Sequence, residues 1–153
     1  MKLTILAVGQ MRGHDAAALY AAYADKISKS GRQIALDGPH LIEIREQKDA
    51  CEKLGAALDA RKGAHIICLD ETGRGLSSQA FADNLAGWRD NGIGELVFVI
   101  GPADGLNAAL RARADTLISL GAMTWPHMLA RVLLAEQIWR GISILTGHPY
   151  HRA

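Results

Sequence analysis

Apolar runs about as long as a β-strand alternate along this chain with longer segments whose apolar positions recur every three or four residues. The runs fall at Lys2–Val8, His40–Arg45, Ala64–Asp70, Glu95–Ile100 and Thr116–Leu120. Between them the spacing predicts helices at Asp15–Ser30, Gln47–Arg61, Ser78–Asp90 and Asn107–Ala114, then a long one from Pro126 to Thr146. Leu19, Tyr23 and Ile27 share one face of the first, and Phe81, Leu85 and Trp88 share one face of the third. Each stripe belongs against a sheet. The alternation predicts an α/β fold, a mainly parallel sheet flanked by helices. No repeat, low-complexity tract or linker-like stretch appears, so residues 1–153 are expected to form a single domain.

The last helix is broader in its apolar surface than the others. Glu136, Gln137, Arg140 and Ser143 share one polar sector, while Leu129, Val132, Leu133, Ile138, Trp139, Ile142 and Leu145 fill most of the rest. Such a surface calls for burial on more than one side, which predicts an interface helix and a homodimer. Arg131 lies on the apolar side among Ala135, Ile138 and Ile142, where a charge needs a partner. The partner is solvent or a carboxylate across the subunit interface in the plainer reading, and an RNA phosphate or the second subunit's tail in the functional one. Glu136 and Arg140, four apart, read as a solvated pair.

With 49% hydrophobic residues the chain can bury a full core. Met1–Gly9 is too short an apolar stretch for a signal sequence or a membrane span, so a cytoplasmic protein is expected. Cys51 and Cys68 lack the spacing of a zinc site or a disulfide framework, and no metal is expected. A net charge of +1 gives no overall attraction to nucleic acid. Any such site must be local, and the last stretch supplies one: from Thr116 onward Glu136 is the one acid, against Arg131, Arg140, Arg152, His127, His148 and His151.

Ligands of open parallel sheets bind at the carboxyl ends of the strands. Three loops there stand out: Asp70-Glu71-Thr72-Gly73-Arg74-Gly75, Gly101-Pro102-Ala103-Asp104-Gly105 and Gly121-Ala122-Met123-Thr124-Trp125-Pro126. Singly each is ordinary turn chemistry, but three in series form a candidate site. A dinucleotide fold is a poor fit, since Gly9-Gln10-Met11-Arg12-Gly13 lacks the middle glycine of the phosphate-binding turn, and there is no phosphate-binding GxxxxGK segment.

These loops, with Ser119-Leu120, Thr124, Pro126-His127, Arg131-Val132-Leu133, Ala135-Glu136 and the ending His148-Pro149-Tyr150-His151-Arg152, resemble the bacterial 23S rRNA pseudouridine N3-methyltransferases, small enzymes of the SPOUT class. The likeness runs the length of the chain. It implies a C-terminal trefoil knot whose loops hold S-adenosyl-L-methionine, and a homodimer with its active site at the subunit interface. It further implies 23S rRNA, within an assembled ribosome, as partner. Cofactor contacts would fall to Leu69, Gly101, Gly105, Gly121, Ala122, Met123, Thr124, Trp125 and Pro126. Two positions depart from the family pattern: Pro102 replaces a glycine and has no N–H to offer, and Gly121 replaces a frequent serine.

Transfer from a sulfonium is chiefly a matter of alignment, but attack by a ring nitrogen also needs a proton removed. The candidates for catalysis are His127, Arg131, Tyr150, His151 and Arg152, the tail residues coming from the second subunit. Tyr150 is suited to stacking on a base, and His151 and Arg152 to phosphate. Two other readings stay open: a related enzyme acting on ribose or tRNA, and a non-catalytic ribosome-binding dimer.

Overall fold

A computed structural model describes residues 1–151. Five strands, β1 (Lys2–Val8), β2 (Asp37–Ile44), β3 (His65–Gly75), β4 (Glu95–Ile100) and β5 (Thr116–Ser119), form one parallel sheet in the order β2-β1-β4-β3-β5. Five α-helices alternate with them: α1 (Ala17–Gly31), α2 (Ala50–Asp59), α3 (Ser78–Asp90), α4 (Ala108–Arg111) and α5 (His127–Thr146). Parallel neighbours cannot be joined by a tight turn, so each connection crosses over a face of the sheet and leaves a helix there.

Strand alternation sorts the core into two halves. Leu3, Ile5 and Ala7 of β1, with Leu96, Phe98 and Ile100 of β4, meet Tyr20 and Ile27 of α1, Phe81 and Leu85 of α3, and α5. Leu6 and Val8, with Val97 and Val99, meet Leu54 and Leu58 of α2 and Leu110 of α4. The result is three layers, with α1, α3 and α5 on one face and α2 and α4 on the other. Central β1 and β4 are covered on both sides, which is why they read as continuous apolar runs.

Helix α5 packs between α1 and α3. This accounts for most of its broad apolar surface within one protomer: Val132, Leu134, Ala135, Ile138, Trp139 and Ile142 are all buried there. Leu129 remains 41% exposed. The helix ends at Gly147, whose φ of +67° lets the chain turn back, with the His148 amide donating to Ser143 at 2.9 Å. Glu136 and Arg140 are not the solvated pair expected. Their side chains are 15% and 27% exposed, and the Tyr150 hydroxyl donates to Glu136 Oε1 at 3.0 Å.

Two further elements depart from the sequence expectation. The fourth helix is a single turn, Ala108–Arg111, capped by Asn107 accepting from the Leu110 amide at 2.9 Å. Strand β3 runs on to Gly75 instead of stopping at Asp70. Leu69 pairs with Ile118, the chain then turns, and Arg74 pairs with Ile118 a second time before Gly75 meets Ser119. Asp70 closes that turn by accepting from the Thr72 amide at 2.9 Å and its hydroxyl at 2.5 Å. Gly73 lies directly on the backbone of β5: a Cβ there would sit 2.5 Å from the carbonyl carbon of Ile118. Backbone cannot step aside as a side chain can. Gly73→Ala should therefore lower stability by at least the roughly 1–3 kcal/mol of an overpacked core site, read as a lower denaturation midpoint with an unchanged slope.

Candidate active site

The carboxyl ends of three adjacent strands, β4, β3 and β5, empty into one cavity of about 240 Å³. Leu69, Asp70 and Glu71 form one wall, Ile100–Gly105 a second, and Ser119–Gly121 with Met123–Trp125 a third. Arg111 from α4 and His127 and Ala130 from α5 complete it.

Local geometry explains why these loops take this shape. Gly121 has φ +118° and Gly105 φ +83°, backbone that a side chain strains. A serine at Gly121 would carry that strain, which gives the departure at this position a physical setting. Ser119 secures the turn: its hydroxyl donates to the Gly121 carbonyl at 2.9 Å, while the Gly121 amide donates to Ser119 Oγ at 3.2 Å. Pro102, lacking an N–H, serves as an acceptor, its carbonyl taking the Gly105 amide at 2.9 Å. The amides of Met123, Thr124 and Trp125 have no backbone acceptor among the described residues, and α5 starts after Pro126 without a side-chain cap. Unspent N–H groups at a loop and a helix start favour a ligand bearing acceptors or negative charge.

The cavity also carries acid. Asp70, its side chain 6% exposed, lies 3.6 Å from Arg111. Burial opposes its charge, but the Thr72 hydrogen bonds and Arg111 outweigh this and hold the carboxyl below its ordinary value. His127 Nε2 lies 3.7 Å from Glu46 Oε2, and Glu46 Oε1 accepts from the Ala103 amide at 3.5 Å.

Of the residues expected to hold a cofactor, Leu69, Gly101, Gly105, Gly121, Met123, Thr124 and Trp125 line the cavity together. Ala122 and Pro126 belong to the same loop but not to its wall. Among the catalytic candidates His127 is at the site. Tyr150 is not: it is hydrogen-bonded to Glu136, nine residues and so about 13 Å along α5 from His127. Its ring lies 5.6 Å from Trp139 and 4.9 Å from the Arg140 guanidinium. His151 does not line the cavity, and Arg152 lies outside the described residues.

Arg131 is the clearest correction. It faces neither phosphate nor a partner, because its side chain is wholly buried. Nη1 donates to Glu43 Oε1 at 2.8 Å, and Nη2 donates to the carbonyls of Gly9, at 2.6 Å, and Val8. Burial lowers the pKa of the guanidinium and Glu43 raises it. The plainer expectation, a carboxylate partner, is what the fold supplies, within one chain and not across an interface.

Sequence reasoning passed over Asp104, Arg111 and Glu46. Asp104 sat in a loop already singled out, but only as a turn residue. Arg111 and Glu46 reach the site from a short helix and from the loop after edge strand β2, and no spacing in the sequence links them to it.

The chain belongs to the SPOUT methyltransferase family, matching the family described as predicted SPOUT methyltransferase over residues 1–151. It is 48% identical over 155 residues to ribosomal RNA large subunit methyltransferase H of Roseobacter denitrificans, and 46% identical over 155 residues to the protein of that name from Dinoroseobacter shibae, with 99% of each chain covered. The Brucella anthropi protein of the same name is 41% identical over 160 residues, with both chains fully covered. Among solved structures, a probable methylase family protein from Haemophilus influenzae superposes with a TM-score of 0.57 at 9% identity, covering 99% of this chain and 70% of that one. A probable methyltransferase from Bordetella pertussis gives 0.52 at 12% identity, with 92% and 95% covered. At those identities the likeness is one of fold.

Arg131→Met should destabilise the protein toward the lower end of the roughly 3–5 kcal/mol typical of a broken buried ion pair. Glu43, 26% exposed, can recover water, but the Val8 and Gly9 carbonyls lose their donor. Equilibrium urea unfolding measures the loss.

Proposed function

We propose that this protein uses S-adenosyl-L-methionine to methylate N3 of a pseudouridine in 23S ribosomal RNA, working in the cytoplasm as a homodimer on the assembled ribosome. The observation that carries the cofactor assignment is the three-loop cavity with unspent amides at Met123, Thr124 and Trp125 and with Asp70 and Asp104 beside them. The amides suit the acceptors of the adenine and carboxylate groups, the acids suit the cationic ammonium and sulfonium, and Leu69, Ile100 and Leu120 supply apolar wall. Bound there, the cofactor supplies a methyl group already activated by positive sulfur. The ribosomal RNA substrate rests on the relatives' names, and the N3 position on the likeness of the ending His148–Arg152 to its family.

The chain's own task is to orient the ring and take the N3 proton. His127, at the cavity and paired with Glu46, is the assigned base. Tyr150 is an unsuitable one: burial, then Tyr23 and Glu136, raise its phenol well above the ordinary value, so it stays a neutral donor. Its distance from its own cavity leaves the tail to serve the second subunit. Trp125 and Leu129, each 41% exposed, with Leu133 one turn on, give an apolar strip beside the cavity for that subunit to cover.

Calorimetric titration should show binding of S-adenosyl-L-methionine, and ribosomes from a strain lacking the protein should gain a primer-extension stop after treatment. No binding at millimolar cofactor would leave the non-catalytic reading in its place. The shared site is tested by mixing. Gly121→Val and His151→Ala homodimers should each be nearly inactive, and co-expression should restore about a quarter of full activity, through heterodimers with one intact site. No recovery would put cavity and tail in the same protomer.

A further inference from the structure

We propose that the loops after β1 and β2 form a fixed basic lip beside the cavity that grips RNA phosphates, an inference that rests on the RNA-methylating function proposed above. The two strands are neighbours, paired to their ends at Val8 and Ile44, and their loops leave together. The Gly9 amide donates to Ile44 at 2.7 Å, and the Met11 amide donates to Glu43 Oε1 at 2.7 Å. Arg12 extends from the first loop, Arg45 and Lys48 from the second. All three are exposed and have no ion-pair partner among the described residues.

Lys29, Arg89 and Arg113 are matched by Asp25, Asp90 and Asp59, and the other exposed cations without an ion pair, Lys26, Arg32, Lys62 and Arg74, leave from separate elements, whereas the lip gathers three on two neighbouring loops. The lip's own carboxylates are engaged elsewhere. Glu43 holds Arg131, Asp49 pairs with Lys53 at 2.9 Å, and Glu46 is turned toward His127 and the Ala103 amide, so none of them makes an ion pair with Arg12, Arg45 or Lys48.

The lip adjoins the reaction site. Glu46 touches His127 and the Ala103 amide, and a groove of about 490 Å³ separates Glu46–Lys48 from the Pro102–Asn107 segment. It is also held rigidly. Arg131 on α5 grips the carbonyls of Val8 and Gly9 and, through Glu43, the Met11 amide. Gly9, at φ +92°, packs so close to α5 that a Cβ would lie 2.9 Å from His127 Nε2. One buried cation thus anchors the roots of both loops relative to the proposed base. Phosphate contacts of this kind set register and affinity without reading bases.

The test compares the wild-type dimer with Arg12→Ala/Arg45→Ala/Lys48→Ala, using unmethylated ribosomes both in co-sedimentation binding and in turnover. The substituted protein should bind S-adenosyl-L-methionine normally, keep kcat within about two-fold and show a KM raised about ten-fold at physiological salt. Its plot of log affinity against log salt should be shallower by about 2, from three contacts at about 0.7 each. Arg12→Lys/Arg45→Lys, retaining charge, should behave like wild type. An unchanged KM and salt slope in a wild type that methylates would overturn the lip and leave the enzyme assignment standing. A slope lost on substitution in a wild type that binds ribosomes without methylating them would support the lip and remove the catalytic reading. A wild type that binds no ribosomes overturns both.

Discussion

A charge removed wholly from water must be met on all sides or it destabilises the fold that holds it. Here that constraint falls on Arg131, whose two terminal nitrogens are met by parts of the chain far apart in sequence while Nε is left without a partner. The guanidinium collects two carbonyls from the end of the central strand and a carboxylate from the edge strand, while its stem belongs to the helix that starts at the cavity. The loop after β1, the end of β2 and the first turns of α5 are therefore one rigid unit. A neutral side chain would fill the space but set none of these relationships, which fits the idea that buried ionic groups can specify an arrangement more than they stabilise it.

Around that anchor the sheet does two kinds of work. Its middle, β1 and β4, is buried on both faces and supplies the core. Its carboxyl edge gathers loops from three neighbouring strands, and the glycines there matter for backbone reach more than for flexibility. Helix α5 links the two functions. Packed between α1 and α3, it presents His127 and Ala130 to the cavity at its start and holds the returning tail through Glu136 at its middle.

Much of this was legible in the residue pattern. All five strands, the three loops and the long helix follow from periodicity and turn chemistry, because burial on a sheet imposes its spacing directly on sequence. What was not legible depends on distance in space. Arg131 gave its need for a partner but not the partner, since Glu43 lies 88 residues away on another strand. The breadth of α5 pointed to a second subunit, whereas two helices of its own chain cover most of it. Glu136 and Arg140 had the spacing of a surface pair, and only the returning tail shields them. Strand β3 could not be followed beyond Asp70 because the polar Glu71-Thr72-Gly73 segment has no strand pattern; its pairing is made by backbone alone.

That backbone pairing bears on how the cavity is kept closed. Strand β5 is four residues long and lies at the edge of the sheet, with β3 its sole neighbour in it. Edge elements of this size are the first to open in a native fold, and the loop that follows β5 lines the cavity. A ligand seated there touches residues on both sides of the β3–β5 seam, so it acts as a staple on the weakest margin of the sheet. A ligand bound there would favour the docked last strand over an open one, by the ordinary linkage between binding and local order.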